Sequence, residues 1–326
     1  STLDLEKNPP EPTTLGAVFK YDLKTGEYLG KYADEILTPS GLLFDSSTDR
    51  LMVSTISSMG LFDSELVLEY KASTGEAISA IGGGTGPAGR TGMAIGPNGD
   101  LFVSSFSNAP FGVGSVLQFD GSTLESKGTF AQILSAEPED FFGGASGLVF
   151  HAQDASDKFY LDVVGLFSSN LARFEVATTD EGLQVTSGEI LIREELDFPS
   201  AIQSLGDGTM LVTNLGNDNP DTGELRPGSV AQFNVATGEF IKTFISAGGD
   251  GNIAQPTALL LLPPGLDCNG DGVIDLQDLE CGCATNIDDL LAELDLIRGD
   301  LDGNEAVDFN DFLALSANYG SDGSYM

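Results

Sequence analysis

Two acidic stretches near the C-terminus repeat oxygen-bearing side chains at a fixed spacing, and divalent-cation coordination is the chemistry that this spacing serves. Residues 267–278 read D-C-N-G-D-G-V-I-D-L-Q-D, which puts Asp267, Asn269, Asp271, Asp275 and Asp278 at positions 1, 3, 5, 9 and 12, with the carbonyl of Val273 at position 7. Residues 300–311 repeat the set with Asp300, Asp302, Asn304, Asp308 and Asp311, and with the carbonyl of Ala306 at position 7. Calcium takes about six to eight hard oxygen ligands. Each loop is therefore predicted to hold one Ca2+, two ions in all. Gly272 stands at position 6, where the chain must turn sharply, whereas the second loop has Glu305 there. A Cβ resists positive φ, so the second loop is expected to be the weaker.

The elements needed to position these loops are legible around them. Asn286 can cap a helix with Asp288 and Asp289 in its first turn and Ile287, Leu290, Leu291, Leu294 and Ile297 at helical spacing. A second short amphipathic helix follows with Phe309, Phe312, Leu313 and Leu315, and Gly299 and Gly320 close the two. Position 12 is Asp in both loops, whose starts lie 33 residues apart. With a helix after each loop, residues 267–320 resemble a type I dockerin, and GDLDGNEAVDFNDFLALSANYG is similar to dockerin-type repeats of secreted planctomycete proteins. That resemblance implies a cohesin-like partner in an extracellular complex, in some families one that handles polysaccharide. A second docking site to consider is a neighbouring copy of this chain, in a head-to-tail assembly.

Composition narrows the rest. Fourteen Lys and Arg against fifty Asp and Glu give a net charge of −36, so nucleic acid and anionic membrane surfaces are poor partners. No apolar run approaches the roughly 18 residues of a membrane span. Cys268, Cys281 and Cys283 all lie in the dockerin-like region. Cysteines confined to the smallest module suit an oxidising compartment, with Cys268 pairing with Cys281 or Cys283. Three cysteines without a nearby histidine make a poor zinc site. The start at Ser1-Thr2-Leu3 suits a mature secreted chain, so an extracellular or cell-surface location is expected.

The remaining residues are repetitive. Pro39-Ser40-Gly41-Leu42, Arg90-Thr91-Gly92-Met93, Ala145-Ser146-Gly147-Leu148, Pro199-Ser200-Ala201-Ile202 and Pro256-Thr257-Ala258-Leu259 recur at spacings of 51, 55, 54 and 57 residues. Each repeat reads as four short strands, with turn signals at Gly96-Pro97-Asn98-Gly99, Ser73-Thr74-Gly75, Asp120-Gly121-Ser122 and Ala236-Thr237-Gly238. Four strands at this period read as one blade of a β-propeller. The expected fold is mainly β: a propeller of five blades, alternatively six, over residues 1–263, followed by the small α-helical paired-loop domain over 264–326. The fifth blade is expected to combine a C-terminal strand at Thr257–Leu262 with N-terminal strands at Thr2–Glu6 and within Gly16–Lys31. GMAIGPNGDLFVSSF and GSVLQFDGSTLESKGTF resemble repeats of NHL and streptogramin-lyase-like propellers, which serve variously as binding platforms, lyases and lactonases.

Antiparallel connectivity sends the long loops and inter-blade links to one face. That face is expected to carry Asp34, Glu35, Glu137, Glu139, Asp140, Glu194, Glu195, Asp197 and Asp250 with Phe62, Phe106, Phe111, Phe141 and Phe142, and so to be the ligand face. Catalytic signals are sparse. His151 is the only histidine, which excludes a multi-histidine metal site, and it reads as structural. Gly84-Thr85-Gly86-Pro87-Ala88-Gly89 precedes a strand and is a loop, not a nucleotide site. No central set of Glu and Asn residues matches that of lactonase-like propellers. The expectation is a secreted, non-catalytic binding or assembly protein; the alternative is an extracellular lyase or hydrolase acting on a polysaccharide or lactone. Calcium must offset the repulsion among clustered carboxylates before the tail can fold. Asp271→Ala is expected to abolish tail docking while calorimetry still shows the larger domain melting as in the parent; loss of that transition contradicts separable domains.

Overall fold

The computed structural model of the protein describes residues 3–4, 11–12, 16–21, 27–36, 38–45, 47–56, 66–82, 89–106, 113–134, 140–152, 158–216, 228–246 and 256–259. Two compact units divide the chain: Ser1–Lys20 with Leu29–Leu260, and Tyr21–Tyr28 with Leu261–Met326. Both predicted calcium loops and their helices fall outside the described residues.

The described chain is built of strands. β1 (Leu3–Asp4) pairs with β2 (Glu11–Pro12), and β3 (Gly16–Tyr21) forms a two-stranded sheet with β4 (Tyr28–Ile36). Four antiparallel meanders follow, one for each of the first four sequence repeats. The first blade is β5 (Pro39–Asp45), β6 (Arg50–Thr55), β7 (Leu66–Lys71) and β8 (Glu76–Gly82). The second is β9 (Arg90–Ile95), β10 (Leu101–Ser105), β11 (Ser115–Phe119) and β12 (Ser126–Gln132). The third is β13 (Ala145–Ala152), β14 (Lys158–Gly165), β15 (Asn170–Thr179) and β16 (Gly182–Ile192). The fourth is β17 (Pro199–Ser204), β18 (Thr209–Asn214), β19 (Ser229–Asn234) and β20 (Phe240–Ile245). These are the strands of a propeller-like fold.

Burial explains the sequence pattern. Second strands have blades on both sides and are apolar on both faces; every residue of Leu101–Ser105 is buried. Alternate residues then serve alternate neighbours. Leu101 and Val103 pack with Met52 and Val67 of the first blade, while Phe102 packs with Leu148 and Leu161 of the third and meets Phe150 edge-on at 4.8 Å. Val164, Leu171 and Ile192 join the third blade to Ile202 and Met210 of the fourth. Val18, Ala33 and Ile36 of the β3–β4 hairpin pack on Val53 and Tyr70 of the first.

The inner strands approach one another closely. A Cβ on Gly92 would collide with the carbonyl oxygen of Ser146 and lie 3.1 Å from the Cα of Gly147. One on Gly147 would lie 2.6 Å from the Cα of Ala201. Hydroxyl groups bridge the same junctions: Ser54 Oγ donates to Thr91 O at 2.5 Å, Thr91 Oγ1 to Ala145 O at 2.9 Å, and Ser146 Oγ to Ser200 O at 2.9 Å. The register slips next to these positions, between Pro39 and Gly41 and between Pro199 and Ala201. At each slip a second-strand hydroxyl accepts the released amide, Gly41 N on Ser54 Oγ and Ala201 N on Thr213 Oγ1, both at 2.9 Å.

The expected composite fifth blade is described only in part. Leu3–Asp4 pairs with Glu11–Pro12, and residues 256–259 belong to no strand. Because the obstruction at Gly92 is backbone and not a movable side chain, Gly92→Ala is expected to cost about 1–3 kcal/mol of stability. Urea unfolding checks this; an unchanged midpoint contradicts the close approach.

Candidate functional site

The links between blades share one conformation. Thr38, Gly89, Gly144 and Phe198, each just before an inner strand, all have positive φ, from 41° to 74°. Their carbonyls accept the amides of Ile56, Phe106, Leu166 and Leu215 at 2.8–3.1 Å. Two of the four positions are not glycine. Thr38 and Phe198 hold a backbone that side chains disfavour, and the repeated hydrogen bond holds them there.

The link from the third to the fourth blade carries the acids of interest. Leu196 is buried, the amide of Asp197 donates to Asn214 Oδ1 at 3.1 Å, and Asn214 Nδ2 donates to the carbonyl of Glu195 at 3.3 Å. So anchored, and with φ of 63° at Glu195, the link leaves Glu194 and Glu195 exposed. A groove of about 430 Å³ opens beside them, lined by Leu191, Ile192, Arg193, Glu194, Glu195 and Phe233, and across from these by Gly238, Glu239 and Phe240. Ile192 and Phe233 form its apolar floor, and Phe240 meets Phe233 edge-on at 5.7 Å. Arg193 Nη2 donates to Asp140 Oδ1 at 2.7 Å, joining two links through an exposed pair. Exposed pairs add little stability.

Three carboxylates over an aromatic floor can take a hydroxylated ring, with oxygens to the acids and the C–H face to Phe240. They can also move protons.

The sequence placed Glu194 and Glu195 on the face of the inter-blade links; in the structure both are exposed in the link from the third to the fourth blade and line this groove. Connectivity alone missed Glu239 and Phe240. Their tight turn is not among the long loops and links read as the ligand face, but it reaches β16: a Cβ on Gly238 would lie 2.9 Å from the Leu191 side chain and 3.0 Å from that of Ile192.

Other expected positions divide. Phe142 corrects the expectation of a ligand-face aromatic: it is 1% exposed, in the core between the second and third blades. Phe106 packs at 5.2 Å against Phe167. Asp34 is bound by Lys31 at 2.6 Å. Glu137, Glu139, Asp250, Phe62 and Phe111, like the twelve calcium-ligand residues, lie outside the described residues. His151 sits in the third blade, Nε2 at 2.9 Å from Asp162 Oδ2. Asp162 also takes a two-point contact from Arg173, at 2.7 and 2.6 Å, and the guanidinium lies 4.4 Å from the centre of the Tyr160 ring. Asp162 and Arg173 are buried, so these partners neutralise a charge inside the blade.

No family model matches the sequence, and no curated protein does. Solved structures with which the chain shares a fold likeness include a putative 6-phosphogluconolactonase from Bacteroides uniformis, at 14% identity and TM-score 0.48, over 72% of this chain and 67% of that one. A gluconolactonase from Xanthomonas campestris has 13% identity and TM-score 0.48 over 72% and 69%. A hypothetical selenium-binding protein from Sulfolobus tokodaii has 13% and 0.49 over 70% and 60%. Against the expectation of a non-catalytic protein, two of these neighbours are named as lactonases, a likeness that is one of fold.

Asp45 at the β5–β6 turn shows how such acids serve the scaffold. Burial raises its pKa, but the Ser47 and Thr48 hydroxyls and Arg50 outweigh that and lower it from 3.8 to about 2. A depressed carboxylate contributes stability above its unfolded pKa and loses it as pH falls through the folded one. The melting temperature is therefore expected to fall between about pH 4 and pH 2, less steeply in Asp45→Asn. Equal slopes in the two proteins contradict this assignment.

Proposed function

We propose that the protein is an extracellular hydrolase whose propeller-like domain acts on a sugar-derived lactone or a polysaccharide at the groove between its third and fourth blades. The observation that carries this reading is the convergence of Glu194, Glu195 and Glu239 on one concavity beside Phe240. In the lactone case, Glu195 or Glu239 takes a proton from water as the oxygen attacks the ring carbonyl. The ring C–O bond then breaks, and the departing oxygen takes a proton to leave a hydroxy acid. An anionic product is repelled by a chain of net charge −36, which favours release.

The C-terminal region is read as a secreted calcium-loaded dockerin-like module, with two Ca2+ held by the loops at 267–278 and 300–311. It tethers the hydrolase to a cohesin-like protein or to a neighbouring copy. What supports this is the match of both loops at positions 1, 3, 5, 9 and 12.

The test is hydrolysis of a panel of aldonolactones and plant and algal oligosaccharides, followed by pH-stat and by reducing-end release. At least one substrate is expected to turn over, with Glu195→Gln or Glu239→Gln lowering kcat about 100-fold or more and leaving the melting temperature unchanged. Full activity in both variants, or no turnover across the panel, overturns the proposal.

A further inference from the structure

Links between blades repeat one plan. Three residues before the inner strands that begin at Pro39, Ala145 and Pro199 stand Ile36, Phe142 and Leu196, each buried in the core of its junction. The residue just before this buried one has to turn the chain inward. Glu35 and Glu195 do so with φ of 58° and 63°, a conformation that a Cβ disfavours. Other contacts must hold them there.

The contacts differ from link to link. Glu35 is held locally: its amide donates to Asp34 Oδ1 at 2.9 Å, and Lys31 binds Asp34 in turn. Phe141 and Glu195 are held from within the blade. Asn170 Nδ2 donates to the carbonyl of Phe141 at 2.9 Å, and Asn214 Nδ2 to that of Glu195 at 3.3 Å. Asn214 does more. Its Oδ1 accepts the amide of Asp197 at 3.1 Å, so one side chain, 6% exposed, grips the link on both sides of Leu196. A contact from Nδ2 to Ser229 Oγ, at 3.3 Å, fixes the plane of the amide.

Asn214 ends its second strand and pairs with the first residue of the inner one. Thr55, Ser105 and Gly165 hold that position in the other three blades. None of these carries a donor and an acceptor on separate atoms, so none can close such a two-sided grip. The link so gripped is the one that brings Glu194 and Glu195 to the groove. Asn214 does not itself line that groove.

We propose that Asn214 is a positioning residue of the candidate site: by fixing the backbone on both sides of Leu196, it sets the direction in which Glu195 offers its carboxylate to the groove. This rests on the hydrolytic reading of the groove. A carboxylate that moves a proton has to be held close to its productive place, because a misplacement of about 1 Å can cost about 100-fold in rate. An exposed link with a left-handed glutamate does not hold itself. The buried amide supplies the rigidity that the link lacks.

Asn214→Thr tests this, since Thr stands at that position in the first blade and suits a strand; Asn214→Ser, copying the second blade, replaces it if the Thr variant does not fold. With the substrate found in the hydrolysis panel, kcat is expected to fall about 10- to 100-fold. KM is expected to stay within about twofold, and the carboxylate limb of the pH–rate profile to be displaced. Ile202→Val, buried in the same blade, is the control: it lowers the melting temperature and leaves kcat and the pH profile as in the parent. Full kcat in Asn214→Thr, where Glu195→Gln is inactive, overturns the positioning role and leaves the reading of the groove standing. Full activity in both Glu195→Gln and Glu239→Gln overturns the reading of the groove instead, and backbone order then decides. By 15N relaxation, the order parameter of Glu195 is expected to drop from about 0.85 to below about 0.6 in Asn214→Thr. An unchanged value overturns the proposal whether or not a substrate is found.

Discussion

Everything in the propeller-like domain depends on how closely one inner strand can approach the next. Backbone meets backbone at Gly92 and Gly147, and the hydroxyls of Thr91, Ser146 and Ser200 each reach a carbonyl of the following repeat. These contacts fix neighbouring blades at one distance and register. Side-chain packing farther out, such as Phe102 against Phe150, can then interlock without gaps. A small residue beside a hydroxyl, once per repeat, is a local requirement with a global result.

That requirement is also what made the fold legible. Ser-Gly and Thr-Gly pairs at Ser40, Thr91 and Ser146 recur in the sequence because a Cβ on Gly41, Gly92 or Gly147 would collide with the next repeat, and Thr91 and Ser146 donate to its carbonyls. The apolar runs at Leu101–Val103 and Met210–Val212 recur because second strands are covered on both faces. The expected fifth blade is harder to read, since its strands would come from both ends of the chain and short termini offer weak periodicity. For β1 the sequence allows more than one partner, and in the structure the nearer one, Glu11–Pro12, holds it.

The candidate site was half legible. Glu194 and Glu195 follow from connectivity, because a link between blades must cross an exposed end. Glu239 and Phe240 come from a different repeat and meet them through the reach of the outer strands, which a list of turns does not convey. Phe142 misled for a related reason: an aromatic residue in a link can serve as a wedge as easily as a ligand contact, and burial decides which. His151 shows the converse. As the only histidine it draws attention, yet Asp162 and Arg173 hold it within the third blade.

The central functional claim is that the groove between the third and fourth blades takes the substrate. A crystal structure of the protein soaked with an aldonic acid or a short oligosaccharide tests it most directly. The account predicts density for the ligand against Phe240, with its hydroxyl groups within hydrogen-bond distance of Glu195 and Glu239. An ordered ligand elsewhere on the domain, with this groove empty, would contradict it.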